Sequence, residues 1–398
     1  MRTRTRPTET GSSDEVIPVK PSELRAVLAP LSRARSLPAV AYTSTAVFSW
    51  ELEHFFERSW SCVGRFDPQG RAGDQVATRA GGAGILLVRG GDEAVRGFHN
   101  VCRHRGHELL EYGDSASRRA IRCPYHAWVY ALDGTLRAAP RFGHLPADDP
   151  AREGLVQVPV RDWQGWIFAN ASGDGPDFAD HVGDLGDRIA PYDPRRLATV
   201  ARRDYEVAAN WKLIVENYHE CYHCPSIHPE LCRVTLTDSG QNIDPTGLWC
   251  GGSMDLKDHA DTMSLSGRSN AGPLPRLTGT LLRQVLYFGV FPNLLLSLHP
   301  DYVMFHRIEP LGPDRSWVEC QWLFPPEAAD RAGFDPTDAV EFWDLTNRQD
   351  WKACESVQRG VASRGYRQGP LALEEGAVHQ FLKMVAHGYL RGRPALPS

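Results

Sequence analysis

No stretch of about 18 apolar residues runs through this chain of 398 residues, so no membrane-spanning helix is expected. Net charge is scarce as well: a formal balance of -5 provides no general attraction to nucleic acid or to an acidic membrane. Cysteine is sparse, nine residues and an odd number, without the density of a disulfide scaffold, which points to a reducing cytoplasm. Arg2, Arg4 and Arg6 are followed by no apolar core, so no secretory leader is expected. Phosphate-loop and dinucleotide fingerprints are missing too. The segment Gly81-Gly82-Ala83-Gly84 opens no helix and reads as a tight turn. What is present is an ordinary globular composition, 42% hydrophobic and 23% charged, in a chain long enough for two or three domains.

Hydrophobic periodicity divides the chain into two textures. Phe48, Leu52, Phe55 and Phe56 recur at helical spacing and predict an amphipathic helix over 45–60. From Cys62 to about residue 170, short β segments alternate with Gly and Asp, as at 84–89, at 127–132 before the Asp133-Gly134 turn, and at 163–169. Beyond an Asp- and Gly-rich stretch at 173–187, helices are expected at 210–224, 337–362 and 374–390, with strands at 285–291 and 316–324. The fold class is therefore α+β. The expected division is a mobile N-terminal segment over 1–36, a β-rich domain with its N-terminal helix over 37–185, and a helix-covered sheet over 186–398.

Two short segments carry metal-ligand chemistry. Cys102-x-His104 is followed, after an 18-residue gap, by Cys123-x-x-His126. A zinc finger usually groups its thiolates in one pair and its imidazoles in another. Here each segment offers one of each, which suits a [2Fe–2S] cluster with both Cys on one iron and both His on the other. Both segments have loop chemistry, with Gly106 permitting a turn and Pro124 fixing the backbone. A zinc ribbon remains the rival reading. The segments resemble the Rieske family, in its ferredoxin and oxygenase branch. Respiratory Rieske proteins carry an extra Cys in each loop, whereas this chain has His107 and Tyr125 or Ala127 at those places. The resemblance therefore implies no bracing disulfide.

The segment 210–229, NWKLIVENYHECYHCPSIHP, offers a second set. On a continuous helix Trp211, Val215, Tyr218 and Tyr222 share one face, and Glu216, Glu220 and His223 share another. Pro225 is expected to end the helix, and His228 follows His223 by five residues, so a helix-to-turn transition is needed to bring both imidazoles to one point. One carboxylate would complete the facial triad that binds non-haem Fe(II). Phe342, Thr346, Ala353, Cys354, Val357 and Val361 form one apolar helical face with Asp350 inside it. A carboxylate among core residues is costly unless paired or metal-bound, so Asp350 is the candidate; pairing to a buried Arg or capping a neighbouring loop is the alternative. Cys221 and Cys224 form a C-x-x-C for which buried packing is expected.

From about Leu37 onward, the whole chain resembles the catalytic α subunit of the Rieske non-haem iron oxygenases. The resemblance runs through AYTSTAVFSWELEHFFERSW, both cluster loops, ENYHECYHCPSIHP, FPNLLLSLHPDYVMFHRIEP and QDWKACESVQRG…GPLALEE. It implies a helix-grip, START-like catalytic domain, a Rieske cluster on Cys102, His104, Cys123 and His126, and iron on His223, His228 and Asp350. It implies O₂ as co-substrate and a head-to-tail homotrimer. Glu220 would bridge His223 to His126 of a neighbouring subunit. With no flavin or nicotinamide fingerprint, electrons from NAD(P)H must arrive through a separate reductase, with or without a ferredoxin. Glu at position 220, in an ECYHC context, resembles the branch acting on small N-methylated or quaternary amines. A cation would seek aromatic faces, and Tyr218, Trp249, Phe288, Phe291 and Tyr302 are candidates. Ring hydroxylation or N-oxygenation of an amino-substituted aromatic or heteroaromatic compound is the alternative; a Rieske electron carrier without catalysis and a zinc-stabilised binding protein are readings of other classes.

Overall fold

Period-two alternation decides the largest element. Leu294, Leu296 and Leu298 pack on one side of the sheet with Val303 and Phe305, while Leu295, Met304 and Ile308 pack on the other. Both faces are covered, so these strands read as near-continuous apolar runs rather than half-polar ones. The computed structural model describes residues 18–66, 70–141 and 153–395. It contains a seven-stranded sheet in the spatial order Ala198–Val207, Arg315–Phe324, Val303–Gly312, Leu294–Leu298, Gln284–Val290, Trp249–Leu256 and Thr235–Asn242. Every neighbouring pair is antiparallel.

Four helices matter to the site: α1 (Thr45–Glu51), α2 (Trp211–Tyr218), α3 (Thr337–Val361) and α4 (Gly376–Arg391). Ser44 caps α1 by accepting from the Val47 amide, and the chain continues as a π turn over Leu52–Glu57. Val47, Phe55 and Phe56 belong to the same core as Trp211, Phe291 and Phe381. The N-terminal helix thus packs on the large sheet's helical layer, while the π turn that continues it also touches the strands Ser61–Arg65 and Asp74–Ala80. Its polar anchor is Glu51, which pairs with Lys212 of α2 at 2.6 Å in a fully buried site and accepts from Trp211 Nε1 at 2.8 Å and from Tyr389 of α4.

The expected mobile segment over 1–36 also needs correction. Residues 1–17 lie outside the described residues, but Val19, Leu24 and Val27 are buried and Arg35 bridges to Pro370. Composition registered the polar residues and missed the three apolar anchors.

Among the described residues the β-rich half holds three small sheets of five, three and three strands. The Gly81-Gly82 turn joins Asp74–Ala80 to Ala83–Arg89, as expected. The strand expected at 163–169 is instead a hairpin, with Val160–Trp163 and Trp166–Ala169 joined across Gln164 and Gly165, both at positive φ. The two halves meet along a polar seam. Asn293 bonds both the amide and the carbonyl of Cys62, and Tyr112 donates to Glu309, which lies 3.5 Å from the buried Arg307. Arg307 pairs with Glu319 at 2.8 Å. Among the described residues no helix is long and apolar enough to cross a membrane.

Candidate active site

The first site is built from two loops of the same design. The Cys102 amide donates to the His107 carbonyl and the Gly106 amide returns to the Cys102 carbonyl; in the second loop Cys123 pairs likewise with Trp128 and Ala127. Each loop needs a residue at positive φ in its fifth place, and Gly106 (φ 72°) and Ala127 (φ 58°) occupy it. Gly takes that conformation freely, whereas Ala does so at a cost of about 1 kcal/mol. Cys102 and Cys123 are buried and adjoin one another, and the imidazoles of His104 and His126 lie 4.7 Å apart between ring centroids. His126 Nδ1 is a buried nitrogen with no hydrogen-bond partner. Two thiols on one side, two imidazoles on the other and an orphaned ring nitrogen fit a [2Fe–2S] cluster.

Periodicity did not reveal the residues supporting these loops. Tyr130, fully buried, lies with its hydroxyl 3.2 Å from Cys102 Sγ and accepts from the Arg103 amide at 3.1 Å. Trp128 stacks on His104 at 5.0 Å. His107 and Tyr125, the places without a bracing disulfide, face each other as rings 5.6 Å apart.

The second site depends on a break in the chain. Asn210 caps α2 through the Lys212 amide, but the helix ends at Tyr218 rather than continuing to 224. Glu220 provides the reason. Its Oε2 accepts from the Tyr222 amide at 2.5 Å and from the His223 amide at 3.2 Å, offering the backbone an alternative to helical bonds. Glu216 therefore does not share a helical face with Glu220 and His223; it accepts from Tyr42 instead. Pro225 does not terminate a helix but starts one, Cys224–Ile227, in the first turn where proline is tolerated. Cys221 and Cys224 are joined as a disulfide across this turn, not merely packed.

The turn brings the two imidazoles onto one carboxylate. Asp350 Oδ1 lies 2.9 Å from His228 Nε2 and 3.3 Å from His223 Nε2. One ligand atom from each of the three residues lies within 4.8 Å of the others, the single such group of three or more found among the described residues. Two imidazoles and one carboxylate sharing one point fit a mononuclear non-haem iron with positions left open. On its outer side His223 Nδ1 donates to Glu220 Oε1 at 2.5 Å. Burial alone would lower the affinity of His223 for a proton. The hydrogen bonds to Asp350 and Glu220 outweigh it and lift its pKa to about 9.

Asp350 sits on the buried side of α3 with Phe342, Thr346, Cys354 and Val361, as the periodicity implied, although Val357 of the expected face is 48% exposed. A cavity of about 540 Å³ opens beside the trio. Of the five aromatic residues proposed to receive a substrate, Tyr218 lines it; Trp249, Phe288, Phe291 and Tyr302 are buried in the core. Tyr222, Tyr287 and Trp343 line it instead. No local pattern marks them, because sheet register and the pitch of α3 place Tyr287 and Trp343.

Known proteins match this architecture. Residues 59–149 match the family description "Rieske [2Fe-2S] domain" and residues 194–390 match "Ring hydroxylating alpha subunit (catalytic domain)". The carnitine monooxygenase oxygenase subunit of Acinetobacter pittii is 38% identical, over 84% of this chain and 87% of its own. This chain belongs to the Rieske oxygenase α-subunit family. The glycine betaine monooxygenase oxygenase subunit of Chromohalobacter salexigens is 30% identical, over 84% of this chain and 81% of its own. A solved quaternary ammonium Rieske monooxygenase, described for carnitine oxidation and inter-subunit electron transfer, superposes with a TM-score of 0.78 at 27% identity, covering 93% of this chain and 98% of that one. Members of the family carry a Rieske [2Fe–2S] cluster and a mononuclear non-haem iron, use O₂, and take electrons from a reductase. This chain is accordingly an oxygenase component.

Proposed function

We propose that this oxygenase hydroxylates an N-methyl carbon of a quaternary ammonium compound. The carrying observation is the wall of the cavity beside the proposed iron site. Tyr218 directs its hydroxyl to the Leu296 carbonyl at 2.6 Å, Tyr287 to Met263 Sδ at 2.9 Å, and Trp343 its Nε1 to Tyr302 at 2.8 Å. All three polar tips are engaged elsewhere. The rings offer π surface to a guest without a competing donor, which suits a methylated cation. Carnitine and glycine betaine, the substrates named for the relatives, are of this kind.

In this reading Cys102, Cys123, His104 and His126 hold the cluster, and His223, His228 and Asp350 hold the iron. The bound metals supply stored electrons and O₂ activation. The balance is one O₂, two electrons and two protons, giving a hydroxymethyl group and water. The C–N bond of the hydroxymethyl ammonium then breaks, its electron pair staying on nitrogen, and formaldehyde and the hydroxyl proton are released to leave a tertiary amine. Glu220 holds the Nδ1 proton of His223, so electron arrival and proton movement meet at one carboxylate.

The reading includes a head-to-tail homotrimer in which the Glu220 carboxylate would bond His126 of a neighbouring copy on one side and His223 on the other, bridging the two metal sites for electron transfer. Tyr125, 54% exposed, stands beside His126 with Arg105 over its ring, while Tyr222 (67%), Leu373 (73%) and Glu374 rim the cavity near Glu220. An apolar and basic tip thereby meets an apolar and acidic rim. A domain boundary near residue 185, a separate flavin-dependent reductase with or without a ferredoxin, and a cytoplasmic location complete the proposal. The test uses reductase-supplied enzyme with a panel of trimethylammonium compounds and arylamines. Formaldehyde and a demethylated product are expected from the former; turnover of arylamines alone, with oxygen retained in product, would overturn the substrate class. Mixing inactive His126→Ala and Glu220→Gln subunits should restore partial activity, and no restoration would sink the inter-subunit route.

A further inference from the structure

We infer that Gln349 is a positioning residue that holds His228 in its metal-binding tautomer, and that Glu230 keeps Gln349 the right way round. The inference rests on the reading of His228 as an iron ligand. His228 is 1% exposed, and its two ring nitrogens face different partners. Nε2 points to Asp350 Oδ1 at 2.9 Å and so belongs to the metal-donor set; Nδ1 lies 2.7 Å from Gln349 Oε1. An amide oxygen only accepts, so His228 Nδ1 must carry the proton and Nε2 keeps its lone pair for the metal. A reversed amide would present its NH₂ to Nδ1, take that lone pair, and leave the proton on Nε2, where it would block ligation.

The other end of the side chain selects between the two orientations. Gln349 Nε2 lies 3.5 Å from Glu230 Oε2, and a carboxylate accepts without donating, so it draws the NH₂ end. Glu230 lies in the first turn of the short helix Pro229–Val234, immediately after His228. Gln349 precedes Asp350 on α3. The amide therefore cross-ties the two chain segments that bring two of the three donors together. It also makes the two imidazoles unlike: His223 donates to the carboxylate of Glu220, His228 to a neutral amide.

The test measures Fe(II) affinity by chelator competition on full-length protein, with the EPR signal of the reduced cluster as a control for folding. Loss of an outer partner of a metal-bound His commonly weakens metal binding by about 10–100-fold. Gln349→Leu should fall in that range with the cluster signal intact. The exchange Glu230→Gln/Gln349→Glu, which returns an acceptor to His228 and a donor to its support, should restore the wild-type value. Gln349→Leu with unchanged affinity overturns the inference, as does an exchange that fails to restore it. His228→Ala is run alongside. If it too leaves Fe(II) affinity unchanged, the ligand assignment falls and takes this inference with it; if it abolishes binding while Gln349→Leu does not, only the positioning role falls.

Discussion

Ala127 adopts φ 58°, a conformation that costs a residue with a side chain about 1 kcal/mol, because the second cluster loop repeats the turn that Gly106 makes in the first. The strain is held by the paired backbone bonds of that loop and by buried neighbours such as Tyr130. Tyr130 also acts on chemistry. A hydrogen bond to a cluster sulfur favours the reduced, more negative state and raises the potential. Tyr130→Phe should therefore lower the potential of the cluster while leaving its assembly intact, checked by redox titration of the EPR signal; an unchanged potential would remove Tyr130 from the tuning role. At this scale the residues proposed to hold the metals could be named in advance. The four cluster candidates lie in two runs of three and four residues, and His223, His228 and Asp350 stood out by residue type. Tyr130, Gln349 and Glu230 did not, since a partner is defined by what it reaches.

Among the elements, α1, α2 and α4 are fastened by the buried pair of Lys212 and Glu51, with Trp211 and Tyr389 donating to the same carboxylate. Burial lowers the proton affinity of Lys212, and the charge and hydrogen bond of Glu51 oppose it, so each group depends on the other. Removing one partner leaves a buried charge unpaired. Lys212→Met is expected to destabilise by about 3–5 kcal/mol, read as a shifted denaturant midpoint, with Glu51→Gln/Lys212→Met losing less than the single variant. Long elements were legible: α3 and the strand Arg315–Phe324 lie within one residue of expectation. The end of α2 was not. Apolar spacing continues past Tyr218, but beyond it Glu220 captures two backbone amides and the chain turns.

At the scale of the whole molecule, four of the described histidines, His181, His219, His299 and His306, are fully buried and held neutral. Burial is the main cause at each, depressing His181 and His306 to about 4 and His219 and His299 to about 3. Unfolded, each takes a proton below about pH 6.5. Their share of stability is therefore complete above that pH and lost as pH falls from 6.5 toward those depressed values, at up to ~1.4 kcal/mol per pH unit for each proton. His299 stacks on Tyr302 at 4.0 Å, a contact phenylalanine can keep. His299→Phe should flatten the acid limb by one proton between pH 6.5 and 5, measured as the pH dependence of the unfolding free energy against wild type. Equal slopes would remove His299 from the acid response.

Sequence by itself determined the inventory: two ligand loops, a later His pair, a carboxylate set in an apolar helical face, and two textures of secondary structure. Those features are local, written in residue type and in periods of two and 3.6 residues. Tertiary structure decided which residues meet. Asp350 reaches His223 and His228 from a helix more than 120 residues away because α3 packs against α2 and the short helix Pro229–Val234. Tyr287 and Trp343 wall the cavity through the register of the sheet and the placement of that helix, and no short-range pattern in the chain encodes either.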